Sequence, residues 1–313
     1  MRGRPLLGAA DRPLLRSFPR KRESSWTYQR GVCVLGPRFR GDERERIVPE
    51  PFALARRLRA GETVFSGWCM MGSPIVAETI AREGFPAVVL DAQHGLWDVS
   101  SLIAGIGGVH HAGAAPFVRV PLDDAALVSR ALDFGAEGII APMINNADDA
   151  RRFAAAAKYP PLGERSFGPP RATMLQGAMP PTAYLPAAND GTLTFAMIET
   201  PEALRNAEAI AGTPGIDALF IGPYDLSTSL SAGKAQDIEA PEVNAAIDKI
   251  CAAAIGAGKI PGIYCRDAQR ALDMAKRGFR FMTVGSDFSL VRESSAAALK
   301  MLPIKAKGAR DAF

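Results

Sequence analysis

The 313-residue chain has no apolar run near the roughly 18 residues that a bilayer-spanning helix needs, which points to a soluble protein. Cysteine is scarce. Cys33, Cys69, Cys251 and Cys265 stand far apart with no CxxC spacing, so neither a disulfide framework nor a zinc cluster is indicated, and reduced thiols in a cytoplasmic protein are expected. No GxGxxG follows a first strand, which argues against a dinucleotide-binding domain. Histidine is rarer still, at three residues: His94, His110 and His111. Excess charge is also missing from most of the chain. Residues 1–46 hold 12 Lys or Arg against 5 Asp or Glu, which leaves the remainder at about −3 although the whole chain is +4. The basic pI therefore belongs to the N-terminal stretch and gives no support for nucleic-acid binding.

That stretch differs from the rest. SFPRKRESSWTYQRGVCVLGPRFRGDERER keeps no helical or strand period, is rich in Arg, and has Pro and Gly at short intervals, so residues 1–47 are expected to be a disordered basic tail. It lacks the apolar segment of a secretory signal; a transit peptide or a nucleic-acid-binding arm remain alternatives. SFPRKRESS followed by GPRFRGD resembles the translation of a palindromic repeat found between bacterial genes, which would put the ancestral start near Val48 and the folded domain at 48–313.

From residue 50, short continuous apolar runs alternate with helical segments. Eight runs are candidate strands: Val64 to Cys69, Ala87 to Asp91, Pro116 to Val120, Gly138 to Met143, Leu193 to Glu199, Ala218 to Ile221, Ile260 to Tyr264 and Phe281 to Val284. Their lack of polar alternation fits parallel strands covered on both faces. Between them lie helix candidates such as Pro74 to Glu83, Ala125 to Phe134, Ala147 to Ala157, Pro201 to Ala211, Pro241 to Ala257 and Asp267 to Arg277. Thr200 and Asn146 stand at N-cap positions, and Gly84, Gly135, Gly212, Gly258 and Gly278 at C-terminal stops. Eight βα units predict a (β/α)8 TIM barrel, with a doubly wound sheet as runner-up.

In such a barrel the chemistry gathers where strands end. Four places break the apolar pattern there: Asp91 to His94 in VVLDAQHGLW, Arg119 in PFVRVP, Glu199 in FAMIET, and Asp225 in FIGPYDLS. Glu199 and Asp225 close consecutive strands about 4.8 Å apart, and two carboxylates so close favour a hard divalent cation between them. The competing reading makes each a helix cap. The turn Gly222-Pro223-Tyr224-Asp225 could meet an anion at a helix start. Arg119 in an apolar strand needs a carboxylate, either structural or from a substrate. His94, before Gly95 on a strand-end loop, is either structural or catalytic, whereas His110 and His111 suit a helix end.

Together, LDAQHG, FVRVP, LDFGAEGIIAPMINNADDA, KYPPLGERSFGPPRA, MIETPEAL and DALFIGPYDLS resemble the HpcH/HpaI aldolase family of class II pyruvate aldolases, from about Pro51 to about Leu302. The resemblance implies a pyruvate-binding barrel, a homotrimer or homohexamer, and a Mg²⁺, Mn²⁺ or Co²⁺ ion held by Glu199 and Asp225. It implies proton transfer by His94 paired with Asp133, contact of Arg119 with the 2-oxo acid, and capture of its carboxylate by the turn Gly222, Pro223, Tyr224 and Asp225. Gln93 and Met197 depart from the family pattern, which has Glu and Gln there. The implied reaction is cleavage of a 4-hydroxy-2-oxo acid to pyruvate and an aldehyde. A lyase acting on acyl-CoA esters, like the citrate lyase β-subunit, and a non-catalytic barrel are the rivals. A Schiff-base mechanism is disfavoured because Lys158 and Lys259 lie at helix ends or in turns.

Overall fold

The computed structural model describes residues 50–303; the expectations for residues 1–47, including Cys33, fall outside the described residues. Eight strands run β1 (Val64–Cys69), β2 (Ala87–Asp91), β3 (Ala115–Arg119), β4 (Gly138–Ala141), β5 (Leu193–Ile198), β6 (Ala218–Ile221), β7 (Ile260–Cys265) and β8 (Phe281–Val284). All neighbours pair in parallel and β8 returns to β1, so the sheet closes into a (β/α)8 barrel and the doubly wound alternative is ruled out. Among the described residues the helices are α1 (Ala53–Arg59), α2 (Pro74–Arg82), α3 (Val99–His111), α4 (Ala125–Phe134), α5 (Ala147–Ala157), α6 (Pro170–Leu175), α7 (Pro181–Gly191), α8 (Pro201–Arg205), α9 (Ala207–Ala211), α10 (Pro223–Leu230), α11 (Pro241–Gly256), α12 (Ala268–Lys276) and α13 (Asp287–Lys300).

The strand burial explains the unbroken apolar runs, because β2 to β6 are buried at every position. One face packs outward against the helices and the other fills the barrel. Inside, Phe117, Phe195, Phe220 and Phe281 interlock, with Phe281 at 5.0 Å from both Phe117 and Phe195. Glycine makes the room. A Cβ at Gly138 would overlap the Phe117 ring, and one at Gly262 would come within 2.7 Å of Phe220. The interior is thus a solid plug, so a ligand that meets the strand-end residues must sit above it at the mouth.

Several strand and helix limits differ from the expectation. β3 begins and ends one residue earlier, β4 stops at Ala141, and β5 stops at Ile198, so Glu199 lies just past its strand. The single helix expected over Pro201 to Ala211 is two. Asn206, between α8 and α9, leaves helical geometry at ψ 7° and donates its side-chain amide to the Asn145 carbonyl at 2.9 Å. Gly84, Gly135, Gly258 and Gly278 do take the left-handed conformation, but Gly212 stays right-handed at φ −71°, since the chain turns there without a positive φ. Thr200 and Asn146 cap α8 and α5 through their side-chain oxygens. Cys69, Cys251 and Cys265 are buried free thiols. Among the described residues, no helix is long and apolar enough to cross a membrane.

Candidate active site at the barrel mouth

Strand register brings the first pair together. Asp91 and Arg119 are Cα partners at the ends of β2 and β3. Arg119 Nε donates to Asp91 Oδ1 at 2.8 Å and Nη2 to Oδ2 at 2.6 Å, with both side chains almost wholly buried. The carboxylate that Arg119 requires is therefore Asp91 of its own chain. Asp91 Oδ1 also accepts from the Gln93 and His94 backbone N–H groups, at 3.1 and 3.3 Å, and its carbonyl accepts from Gly95. One carboxylate thus fixes both the guanidinium and the loop that carries His94. Gly95 is obligatory there, because a Cβ would overlap the Asp91 carbonyl. His94 itself is exposed at the rim, and the buried Gln93 Oε1 has no hydrogen-bond partner among the described residues.

Glu199 is buried, at 2% exposure, while Asp225 is exposed in the first turn of α10. Neither caps a helix. The cap of α8 is Thr200, and α10 has no side-chain cap at its N-terminus. Instead, Glu199 Oε2 accepts from the Met143 N–H at 2.9 Å. Burial pushes the Glu199 carboxyl up to about 7; the Met143 hydrogen bond opposes the rise, the Asp225 charge adds to it, and Arg119 lowers it. Glu199 Oε1 faces Gly222, one step past the paired Ile198 and Ile221, where a Cβ would overlap that oxygen. The motif glycine therefore makes space for the carboxylate.

Gly222, Pro223 and Tyr224 line a cavity of about 180 Å³ with Trp68, Met70, Arg119, Met197 and Tyr264. Trp68 meets Tyr264 edge to face at 5.3 Å, and the Arg119 guanidinium lies 4.8 Å from the Trp68 ring centre. Burial holds the Tyr264 phenol up at about 12. Asp287, at the start of α13, steadies this wall by accepting from the Met70 and Met71 N–H groups, both at 2.9 Å. Trp68, Met70 and Tyr264 escaped sequence reasoning because they look like ordinary core residues of apolar strands.

Asp133 is not brought to His94 within the chain. It sits in the last turn of α4, which has run back to the start of β4, and Arg165 Nη2 donates to its Oδ1 at 2.6 Å. Helices in this fold return from strand ends to strand starts, so the last turn of α4 lies at the far end from the mouth. His110 is half-buried near Glu137 at the end of α3, and His111 is exposed. Lys158 is buried against Asp217 Oδ2 at 2.7 Å and the carbonyls of Asn189 and Thr192, away from the mouth.

Comparison with known proteins shows the family. Residues 66–294 match the family described as HpcH/HpaI aldolase/citrate lyase. A hydroxypyruvate/pyruvate aldolase of Rhizorhabdus wittichii is 38% identical over 242 residues, covering 77% of this chain and 94% of the relative. A 4-hydroxy-2-oxo-heptane-1,7-dioate aldolase of Shigella flexneri is 33% identical over 240 residues, covering 77% and 89%. The crystal structure of a family protein from Burkholderia cenocepacia superposes with a TM-score of 0.73 at 32% identity, covering 80% of this chain and 98% of that one. The chain belongs to the HpcH/HpaI aldolase/citrate lyase family and is an enzyme of aldolase type.

Proposed function

We propose that the protein is a divalent-metal-dependent aldolase that reversibly cleaves a 4-hydroxy-2-oxo acid to pyruvate, or a similar 2-oxo acid, and an aldehyde. The observation that carries this reading is the buried Glu199 carboxylate, set against Gly222 of the cavity that also holds Arg119, with Asp225 in the first turn of the following α10. Two carboxylates with only part of their charge matched fit a hard cation, and their all-oxygen donors suit Mg²⁺, Mn²⁺ or Co²⁺. Such an ion, held by Glu199 and Asp225, would supply Lewis-acid stabilisation of the charge that develops on the 2-oxo acid oxygens.

The chain's own groups account for the rest. Arg119, preset by Asp91, would turn its remaining N–H groups to the keto and carboxylate oxygens of the substrate. The backbone N–H groups of Tyr224 and Asp225, unpaired in the first turn of α10, would hold the substrate carboxylate. His94 would take the proton from the C4 hydroxyl as the C3–C4 bond breaks. The electron pair of that bond passes to the 2-oxo acid as an enolate, the C4 oxygen leaves as the aldehyde carbonyl, and the enolate is protonated at C3. Association with further copies of the chain fits the exposed apolar side chains Phe288, Leu290, Val291 and Leu299 of α13, and a trimer or hexamer is what the family resemblance implies. A CoA-ester substrate draws no support from the cavity wall, where Arg119 is the single cation and is already paired.

The test is pyruvate release from several 4-hydroxy-2-oxo acids with each of the three ions, before and after chelation, with Glu199→Ala as control. Activity lost on chelation and restored by the ion is expected. Activity that survives complete metal removal would overturn the mechanism.

A further inference from the structure

Resting on the aldolase reading, we propose that the barrel mouth selects substrates whose aldehyde half is uncharged and apolar, with Met70, Met197, Tyr224 and Tyr264 as the specificity-determining side chains. The cavity of about 180 Å³ is walled by these four residues and Trp68, with Arg119 as its one charged lining group. Tyr264 bridges the aromatic wall, 5.3 Å from Trp68 on one side and 6.0 Å from Tyr224 on the other. Met197 also lines the cavity, its Cε 3.0 Å from where a Gly222 Cβ would stand. These surfaces gain by covering carbon and offer a second carboxylate no counter-charge.

The charges around the cavity point the same way. Asp91 occupies two donor nitrogens of Arg119, and Glu199 and Asp225 would be matched to the divalent ion. Arg266 at the rim is taken up by Asp267 at 3.0 Å and Glu239 at 3.8 Å. A 2-oxo acid already places one carboxylate in the site. A second, on the aldehyde half, would meet thioether and aromatic groups without a cation of its own.

The experiment compares kcat/KM for pyruvate release from 4-hydroxy-2-oxoheptanoate and 4-hydroxy-2-oxoheptanedioate, which differ at the terminal carbon by methyl against carboxylate. The methyl-ended substrate should be preferred by about tenfold or more, the scale on which apolar pockets discriminate. Met70→Lys and Tyr224→Lys, both at partly exposed positions, should each narrow the gap by supplying a cation, whereas Met70→Leu should keep it. Turnover of both substrates with the diacid equal or better would overturn the selectivity while leaving the aldolase reading intact. A preference unmoved by both lysine variants would overturn the assignment to these side chains. Pyruvate from neither substrate with any ion would bring down the aldolase reading and this inference with it.

Discussion

The Asp91 carboxylate holds the Arg119 guanidinium through two parallel hydrogen bonds, of 2.8 and 2.6 Å, across the adjacent ends of β2 and β3. Because Asp91 Oδ1 also receives the Gln93 and His94 N–H groups, the pair couples a guanidinium at the cavity wall to the loop bearing the rim histidine. Its value lies in presetting both. Asp91→Asn removes one partner of a buried pair and leaves Arg119 uncompensated, which costs about 3–5 kcal/mol. A urea midpoint should fall accordingly, and kcat should drop more than KM rises, because the loop geometry is lost along with the charge. Arg119→Lys should keep the charge but lose the fork, with kcat/KM down by roughly a hundredfold. Undiminished kcat/KM in Arg119→Lys would show that the bidentate geometry is unimportant.

How much of this was legible in the sequence follows from what each residue needs. Strands were legible because a strand covered on both faces must be apolar throughout, and runs such as Ala218–Ile221 have few other uses. That Arg119 needed a carboxylate was legible; that it was Asp91 was not, because the choice depends on register between strands 28 residues apart. Glu199 was readable as unusual, and Thr200 already stood at the N-cap position of α8; the structure confirms that cap and leaves Glu199 free of it. Trp68 and Tyr264 resemble core aromatics until barrel closure makes them neighbours. Asp133 was paired with His94 through a motif, and within the chain the direction of α4 sets it against Arg165 instead.

Gly222 is expected to be intolerant of substitution for a reason separate from backbone freedom. Its φ of −92° suits any residue, yet a Cβ there would overlap Glu199 Oε1. Gly222→Ala should therefore displace the carboxylate, weakening retention of a divalent ion in equilibrium dialysis by roughly tenfold or more, the scale seen when support around a metal site is disturbed. Unchanged ion affinity and unchanged activity in this variant would separate Glu199 from the metal.

Arg165 and Asp133 give a prediction about stability. The Arg165 side chain is fully buried, lies 4.5 Å from the Tyr159 ring centre, and has Asp133 as its paired carboxylate. Asp133→Asn would leave that charge buried and uncompensated, so chemical denaturation should show a loss of about 3 kcal/mol. Asp133→Glu should recover part of it, while a fully stable Asn variant would mean that the pair contributes nothing.

Glu137 should make stability depend on pH. Burial raises its carboxyl from 4.5 to about 7, against smaller opposing effects from the Gln176 hydrogen bond and Arg56. Between those two values the folded chain holds a proton that the unfolded chain has released, so this residue's contribution to stability is full below about 4.5, declines as pH rises through that interval, and is lost above about 7. At about 1.4 kcal/mol per factor of ten, the loss is roughly 3 kcal/mol at most. His110, whose Nδ1 is 4.0 Å from Glu137 Oε1, works in the other direction: its value is lowered chiefly by burial, so its contribution is present above the ordinary histidine value and lost as pH falls. The two slopes oppose each other below about pH 6.5, the ordinary histidine value, so the wild-type profile alone does not isolate Glu137. Glu137→Gln does, because it keeps the shape and hydrogen bonding while removing the ionisation. Its stability relative to wild type should improve between pH 5 and pH 8, as urea midpoints at several pH values would record; a difference independent of pH would show that Glu137 does not titrate in this range.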